Sequence, residues 1–362
     1  MEKKLRVGIL GATGMVGQRF VTLMDQHPWF EVTAVAASAR SANQTYEQAV
    51  GNRWKMETPM PDYVKDMMVL NINEIDTITS KVDFVFSALA MAKDEIKEIE
   101  YAYAKAETPV VSNNSAHRWT DDVPMVIPEI NDDHFAIIEA QRQRLGTKRG
   151  FIAVKPNCSI QSYTPALNAW AEFEPYEAVI TTYQAISGAG KTFDTWPEMV
   201  GNIIPFIGGE EEKSEEEPLK IWGHIEDGKI VKATEPKITC QCIRVPVLNG
   251  HTAAAFVKFR KNPTKEQLIE KLESYRGLPQ ELDLPSAPKQ FIQYMTDDNR
   301  PQITLDVNFE KGMGISIGRI REDSVYDWKF VGLSHNTLRG AAGGAVLCAE
   351  TLVAKNYIQP KD

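Results

Sequence analysis

The sequence predicts an α/β fold in two parts, a doubly wound parallel sheet and then an α+β unit with a largely antiparallel sheet. Three observations predict it. Short apolar strands alternate with helical stretches through the first half. A glycine-rich turn joins the first strand to the first helix. Beyond residue 158 the alternation stops, and strands follow one another across short turns.

The opening strand is Leu5 to Leu10, and Gly11-Ala12-Thr13-Gly14-Met15-Val16-Gly17 follows it. A helix comes next, with Phe20, Leu23 and Met24 on one face, and then a strand from Glu31 to Ala37. Glycines in such a βαβ turn let backbone approach a pyrophosphate and let helix pack on strand. The spacing is G-x-x-G-x-x-G rather than G-x-G-x-x-G, and a tight turn without a ligand is the competing reading. The second strand ends in Ala37-Ser38-Ala39-Arg40-Ser41, with no carboxylate for a ribose 2′-hydroxyl. An arginine between two serines suits a 2′-phosphate, so NADP is expected over NAD. An exposed polar loop is the alternative.

Val82 to Ala88 is a further apolar strand, and Lys93 to Lys105 reads as a helix. Pro109 to Ser112 is a strand ending in Asn113-Asn114-Ser115-Ala116-His117-Arg118-Trp119. Met125 to Pro128 reads as extended, and Phe151 to Val154 closes this half. In the second half, strands are expected at Ala178 to Ile186, Lys237 to Val247, Thr252 to Phe259, Gln302 to Phe309, Gly314 to Arg321 and Asp327 to Leu333. Glu210 to Trp222 is an acidic, mostly helical run, and Pro263-Thr264 opens a helix reaching Tyr275. Leu338 to Tyr357 reads as one long helix returning to the first domain. The division expected is 1–156 with 336–362 for the nucleotide, and 157–335 for catalysis and oligomerisation.

Length and composition fit this picture. The 362 residues suffice for two cores. A net charge of −9 makes nucleic acid and anionic membrane poor partners, so anionic ligands need local cations. No apolar run approaches a membrane span, and Met1 to Leu5 leads into a strand without a signal peptide. The four cysteines are expected as reduced thiols in a cytoplasmic protein. Cys240-Gln241-Cys242 is too closely spaced for a zinc pair, and no metal site is expected.

Chemistry is expected at Lys155-Pro156-Asn157-Cys158-Ser159. An apolar strand leads in, and a helix is expected over Ser159 to Phe173. A cysteine at a helix N-terminus has its thiol pKa lowered, and the thiolate is the nucleophile. Pro165 leaves two versions open. Either the helix starts at the cysteine and bends, or it starts at Thr164-Pro165 with Thr164 as cap; only the first puts the dipole on Cys158. An inert buried thiol is the competing reading. Among six histidines, His251 is the candidate partner, at a glycine-bearing turn close in sequence to Arg244. Arg118, Lys213 and Arg244 are candidate anion holders, with salt-bridged surface charge as the alternative for each. Gln184 lies inside an apolar strand just before a glycine loop, with a satisfied buried amide as the alternative, and the run Glu210–Glu217 reads as a solvated helix face.

Seven stretches then resemble the aspartate-β-semialdehyde dehydrogenase family, in its archaeal and fungal branch. They are GATGMVGQRF, SNNSAHRW, KPNCSIQSY, TYQAISGAG, IPFIGGEEEK, CIRVPVLNGH and HNTLRGAAGG, in order along nearly the whole chain. The resemblance implies that Cys158 is the nucleophile forming an acyl thioester, His251 its acid/base partner and Gln184 the residue orienting the acyl group. It implies Arg244 for the substrate α-carboxylate, Glu210 for its amino group, and Arg118, Asn157 and Lys213 for phosphate. Glu210 is chosen with Lys213 because i and i+3 share a helix face, and Lys220 stays open for the phosphate. NADP contacts are implied at Gly11, Thr13, Gly14, Met15, Val16, Ser38, Arg40, Ser41, Ser187, Gly188 and Asn336. The reaction implied is reversible, NADPH-dependent reductive dephosphorylation of L-4-aspartyl phosphate, in the biosynthesis of lysine, threonine, methionine and isoleucine, by a homodimer or homotetramer. A reductase of N-acetyl-glutamyl phosphate or malonyl-CoA, and a non-catalytic NADP-binding protein, are the alternatives.

Arg40 provides the first prediction. Removing a charge-assisted contact to phosphate costs about 1.5–3 kcal/mol. Arg40→Ala should weaken NADP about ten- to a hundredfold in titration and leave NAD almost unchanged. Equal loss for both cofactors would make Arg40 structural.

Overall fold

The computed structural model describes residues 4–361. Six strands form the first sheet: β1 (Leu5–Leu10), β2 (Phe30–Ala37), β3 (Val69–Asn71), β4 (Phe84–Ser87), β5 (Val110–Ser112) and β6 (Ile152–Val154). All pair in parallel, in the order β3-β2-β1-β4-β5-β6. The order reverses between β1 and β4, which opens a crevice at the strand ends. Helix α1 (Met15–Met24) follows β1, and α2 (Lys93–Lys105) connects β4 to β5. β4, β5 and β6 are buried along their whole length, as parallel strands covered on both faces must be. β3 has only three residues, too few for an alternating pattern to show. The stretch expected as extended near residue 125 is split: Met125 bridges Val154, whereas Pro128 opens a helical turn, where its missing N–H costs nothing.

After β6 comes the cysteine. Cys158 is followed by one 3₁₀ turn, Ser159–Ser162, and the α-helix α3 runs only from Thr164 to Ala169. Tyr163 interrupts the two, and Pro165 sits in the first turn of α3. Of the two versions left open, the helix that starts at Thr164-Pro165 is the one found, with Tyr163 rather than Thr164 at the cap position, so the dipole of an α-helix does not fall on Cys158.

The second sheet contains β7 (Pro175–Gln184), β10 (Lys237–Arg244), β11 (His251–Phe259), β12 (Ile292–Met295), β13 (Ile315–Glu322) and β14 (Trp328–Ser334). A small separate hairpin is made by β8 (His224–Glu226) and β9 (Lys229–Val231). The order is β10-β7-β11-β14-β13-β12, with antiparallel pairing in the middle and parallel pairs, β10–β7 and β12–β13, at the two edges. The sheet is thus mixed. Sequence neighbours β10 and β11 do not pair, because β7 lies between them. Helices α4 (Glu210–Ile221) and α5 (Lys265–Glu273) flank it, and α5 begins with the Thr264 cap.

Residues 302–309 are not a strand. The Asp306 carboxylate accepts from the Gln302 amide at 2.7 Å and pairs with Arg300, which folds Ile303–Asp306 into a helical turn. Ile292–Met295 takes the edge position instead. The long C-terminal helix is also divided. A wide π-type turn, Leu338–Ala342, precedes α6 (Gly343–Ala354). α6 packs its alanines with Val7, Phe20 and Phe86 of the first sheet's core. The core on the other face of that sheet runs on through Ile160 and Trp170 to Ile180, Ala255 and Phe330 of the second.

Gly332 of β14 shows how tightly the cysteine segment is laid on this sheet. A Cβ there would stand 1.8 Å from the Ser162 carbonyl oxygen. Gly332→Ala should cost about 1–3 kcal/mol in a urea unfolding curve, as overpacking does. Unchanged stability would mean the segment is loosely held.

Candidate active site

A cavity of about 240 Å³ opens between the two sheets, lined among others by Val16, Arg118, Cys158, Gly188, Glu210 and Asn336. A larger cavity of about 500 Å³ beside His134 and Trp222 has no cysteine, lysine or arginine in its lining. The smaller one therefore holds the chemistry.

Cys158 Sγ lies 3.3 Å from His251 Nε2. His251 begins β11, and its Nδ1 accepts the Ala185 N–H at 3.0 Å. With Nδ1 occupied as acceptor, the neutral ring carries its proton on Nε2, facing the sulfur. Burial and the charge of Arg244 push His251 down to about 3, so the ring is neutral near pH 7. The lowering of the thiol pKa that a helix starting at the cysteine would give does not occur. Burial pushes Cys158 up, Glu210 adds to this, and Lys155, Arg118 and Arg244 pull it back.

Arg244 ends β10, and its Nη1 donates to the Ala185 carbonyl at 2.7 Å. It is buried, with no ion-pair partner among the described residues. Burial lowers its pKa while the Cys158 and Glu210 charges raise it. Gly188 leaves room for this convergence: a Cβ would sit 3.3 Å from Arg244 Nη1 and His251 Nε2. The backbone of Ile204 pairs with that of Arg244 in both directions, which stitches the 203–209 loop to β10. Gln184 is level with Arg244 in the sheet, but its amide turns to Thr182 Oγ1 at 3.2 Å and does not line the cavity.

Helix α4 supplies the acidic wall. Glu210 pairs with Lys213 at 2.6 Å and accepts from Asn157 Nδ2 at 3.1 Å, so the i, i+3 choice brings both residues to the cavity. Burial raises the Glu210 pKa, but Lys213 and Asn157 outweigh it and hold the carboxyl below its usual value. Glu211 instead faces β10, where it accepts the Cys242 amide. The reading of Glu210–Glu217 as a solvated face fails at Glu217, which is fully buried. Its carboxylate accepts from Arg118 Nη1 at 2.9 Å and from the Asn157 amide at 2.5 Å. Arg118 Nε also donates to the Lys155 carbonyl at 3.1 Å. Lys220, left open for phosphate, is spent elsewhere: its ammonium donates to the Arg118, Thr120 and Val123 carbonyls, outside the cavity. Glu217 is the functional group that sequence reasoning missed. The signal was there, since Glu210, Ser214, Glu217 and Ile221 follow one helix face.

The glycine turn fits a dinucleotide. Gly11 has φ +81°, and a Cβ there would stand 2.4 Å from the Ala88 carbonyl oxygen. A Cβ on Gly17 would strike the Gly11 carbonyl oxygen at 2.2 Å, so helix and turn pack backbone to backbone. α1 starts at Met15 and Val16 after Gly14, with neither a side-chain cap nor an acidic residue in its first turn. Its free N–H groups suit an anion. The Thr13 carbonyl accepts from Gln18, which braces the turn. At the end of β2, Ser38 and Arg40 are exposed whereas Ser41 is buried, its amide on the Ser38 carbonyl at 2.9 Å. Arg40 has no ion pair among the described residues. Asn336 donates to Ser187 Oγ at 2.8 Å and accepts from the Gly250 amide at 2.8 Å, so it braces two loops at the cavity rim.

A dinucleotide-binding sheet joined to a mixed sheet across a thiol-bearing cavity defines an NAD(P)-dependent dehydrogenase of two domains. Residues 6–138 match the family model "Semialdehyde dehydrogenase, NAD binding domain", and residues 165–339 match "Semialdehyde dehydrogenase, dimerisation domain". The chain belongs to the aspartate-semialdehyde dehydrogenase family. It is 43% identical to the Schizosaccharomyces pombe aspartate-semialdehyde dehydrogenase over 98% of this chain and 99% of that one. It is 40% identical to the Methanothermobacter thermautotrophicus enzyme over 96% and 99%. The Candida albicans enzyme, solved with NADP, superposes with a TM-score of 0.87 at 37% identity, covering 98% of this chain and 100% of that one.

Glu217 gives the prediction here. Removing one partner of a buried ion pair costs about 3–5 kcal/mol. Glu217→Ala should lose that much in chemical denaturation, and Glu217→Gln, which keeps an acceptor, distinctly less. Neither variant changing stability would mean that Arg118 is held by its other contacts.

Proposed function

We propose that this chain catalyses the reversible, NADPH-dependent reductive dephosphorylation of L-4-aspartyl phosphate to L-aspartate 4-semialdehyde through a thioester on Cys158. One observation carries the reading: Cys158, 3.3 Å from His251, lines a cavity with Arg118 and Lys213, while a separate cation, Arg244, stands with His251 at Gly188.

The Cys158 thiolate attacks the acyl carbon, the C–O bond to phosphate breaks, and inorganic phosphate leaves. Arg118, Asn157 and Lys213 hold the leaving phosphate. Arg244 grips the α-carboxylate, for which its bidentate donors are suited, and Glu210 meets the α-amino group. Splitting the reaction at a thioester replaces one hard step by two easier ones. NADPH supplies the hydride that reduces the thioester carbonyl. The oxygen that then gains charge accepts a hydrogen bond from His251 Nε2, and as it re-forms the C=O bond the C–S bond breaks to free the aldehyde and the thiolate. The protonated Nε2 narrows the role of His251: it donates a hydrogen bond to that oxygen and does not take a proton from the thiol. Gln184 acts on the acyl group only if its side chain leaves Thr182.

Gly11, Thr13, Gly14, Met15 and Val16 would hold the pyrophosphate of the dinucleotide, Ser38, Arg40 and Ser41 its 2′-phosphate, and Ser187, Gly188 and Asn336 its nicotinamide end. Residues 1–156 with 336–362 form the cofactor domain, and 157–335 the catalytic one, a division supported by the packing of α6 on the first sheet. The chain works as a homo-oligomer, a dimer or a tetramer. Support comes from the match to a dimerisation domain and from the outer face of the second sheet, where Tyr183, Ala254, Phe256 and Val331 are only partly covered. A cytoplasmic location is in keeping with four free cysteines. No helix among the described residues is long and apolar enough to cross a membrane.

The two anion sites separate in kinetics. Arg118→Ala should raise the KM for phosphate, in the oxidative direction, far more than that for the semialdehyde, and Arg244→Ala should do the reverse. Arg244→Lys should rescue only partly, lacking the bidentate pair. Equal effects of both variants on both substrates would replace two sites by one shared pocket.

A further inference from the structure

Lys155 has no part in the steps above, yet it lies three residues before the nucleophile and lines the same cavity. It is 3% exposed. Its ammonium donates to the Pro156 carbonyl, the one hydrogen bond of that group among the described residues. No carboxylate stands within ion-pair distance of it there. An ammonium has three donors, and burying one without an opposite charge is costly. The two carboxylates of this wall are already committed. Glu217 holds Arg118 and the Asn157 amide, and Glu210 holds Lys213 and the Asn157 side chain. Cys158 is the acidic group of the cavity left to balance it, and His251 cannot take the thiol proton because its Nε2 already carries one.

We propose that Lys155 is a positioning residue for the nucleophile: its ammonium is the cation opposite which the Cys158 thiolate forms. The inference rests on Cys158 being the nucleophile. In the ionisation the S–H bond breaks, the electron pair stays on sulfur and the proton leaves to solvent, and the ammonium already lining the cavity balances the charge that sulfur gains. Burial together with the Arg118 charge holds Lys155 down to about 8, whereas the Cys158, Glu217 and Cys348 charges raise it. Around Cys158, burial and Glu210 oppose the thiolate, whereas Lys155, Arg118 and Arg244 favour it, and the neutral His251 donates to it. Arg118 and Arg244 are taken up by the substrate's anionic groups, which leaves Lys155 as the lining cation beside the nucleophile that no substrate group claims.

The test is the pH profile of iodoacetamide alkylation, read on the Cys158 peptide by mass spectrometry in the full-length protein. Lys155→Met should move the midpoint up by about one unit or more, and so lower alkylation at pH 7 about tenfold. Lys155→Arg, which keeps the charge, should restore most of the rate. A midpoint unmoved by Lys155→Met in a protein that keeps its circular dichroism spectrum overturns the proposal. Should the Met variant fail to fold, trace acetylation of Lys155 by acetic anhydride across pH compares wild type with Cys158→Ala. Lys155 should titrate lower once the thiolate is gone, and identical midpoints overturn the pairing. Full turnover in Cys158→Ala would instead remove the nucleophile itself, whatever the profiles show.

Discussion

A single buried carboxylate joins the parts of this molecule that must meet. Glu217 reaches from helix α4 to the guanidinium of Arg118, on the loop after β5, and to the backbone amide beside Cys158. Both ions are out of water, so neither is tolerable without the other. The same helix fastens the same loop a second time, through the Lys220 ammonium on three of its carbonyls. Loop, nucleophile and helix are therefore one polar unit set between two apolar cores.

The charge balance of the cavity follows from this arrangement. The chain carries a net charge of −9, yet the cavity must receive a phosphate and a carboxylate. It does so by pairing its own carboxylates inward. Glu217 is consumed by Arg118 and a backbone amide, and Glu210 by Lys213 and Asn157. Arg118, Lys155 and Lys213 then line the open space as cations, and Arg244 stands behind Gly188 beside His251, whose proton is fixed on Nε2. Anionic substrates and a thiolate are then favoured in the same volume, and a neutral imidazole stands ready to donate where an oxygen gains charge.

Much of this could be read from the chain, and the misses share a cause. The glycine turn was legible because Gly11 and Gly17 answer to local demands, a positive φ and a backbone contact across one turn. The Glu210–Lys213 pair was legible because i and i+3 meet on any helix. Burial was not legible. It turned Glu217 inward, closed the phosphate role left open for Lys220 and raised the thiol that a helix starting at the cysteine would have lowered. Pairing between distant strands was hidden for the same reason, since nothing local places β7 between β10 and β11. Residues 302–309 misled in the opposite way: an apolar alternation was overruled by one aspartate capping its own turn. Cys158 and His251, far apart in sequence, were joined by family resemblance before geometry put them 3.3 Å apart.

The account stands or falls on covalent chemistry at one sulfur. The direct measurement is rapid acid quenching of the enzyme with aspartate semialdehyde and NADP in the absence of phosphate, followed by peptide mass spectrometry. An aspartyl adduct on the Cys158 peptide, discharged when phosphate is added before the quench, is the predicted result. An adduct on Cys240, Cys242 or Cys348, or turnover with no adduct at any cysteine, would contradict it.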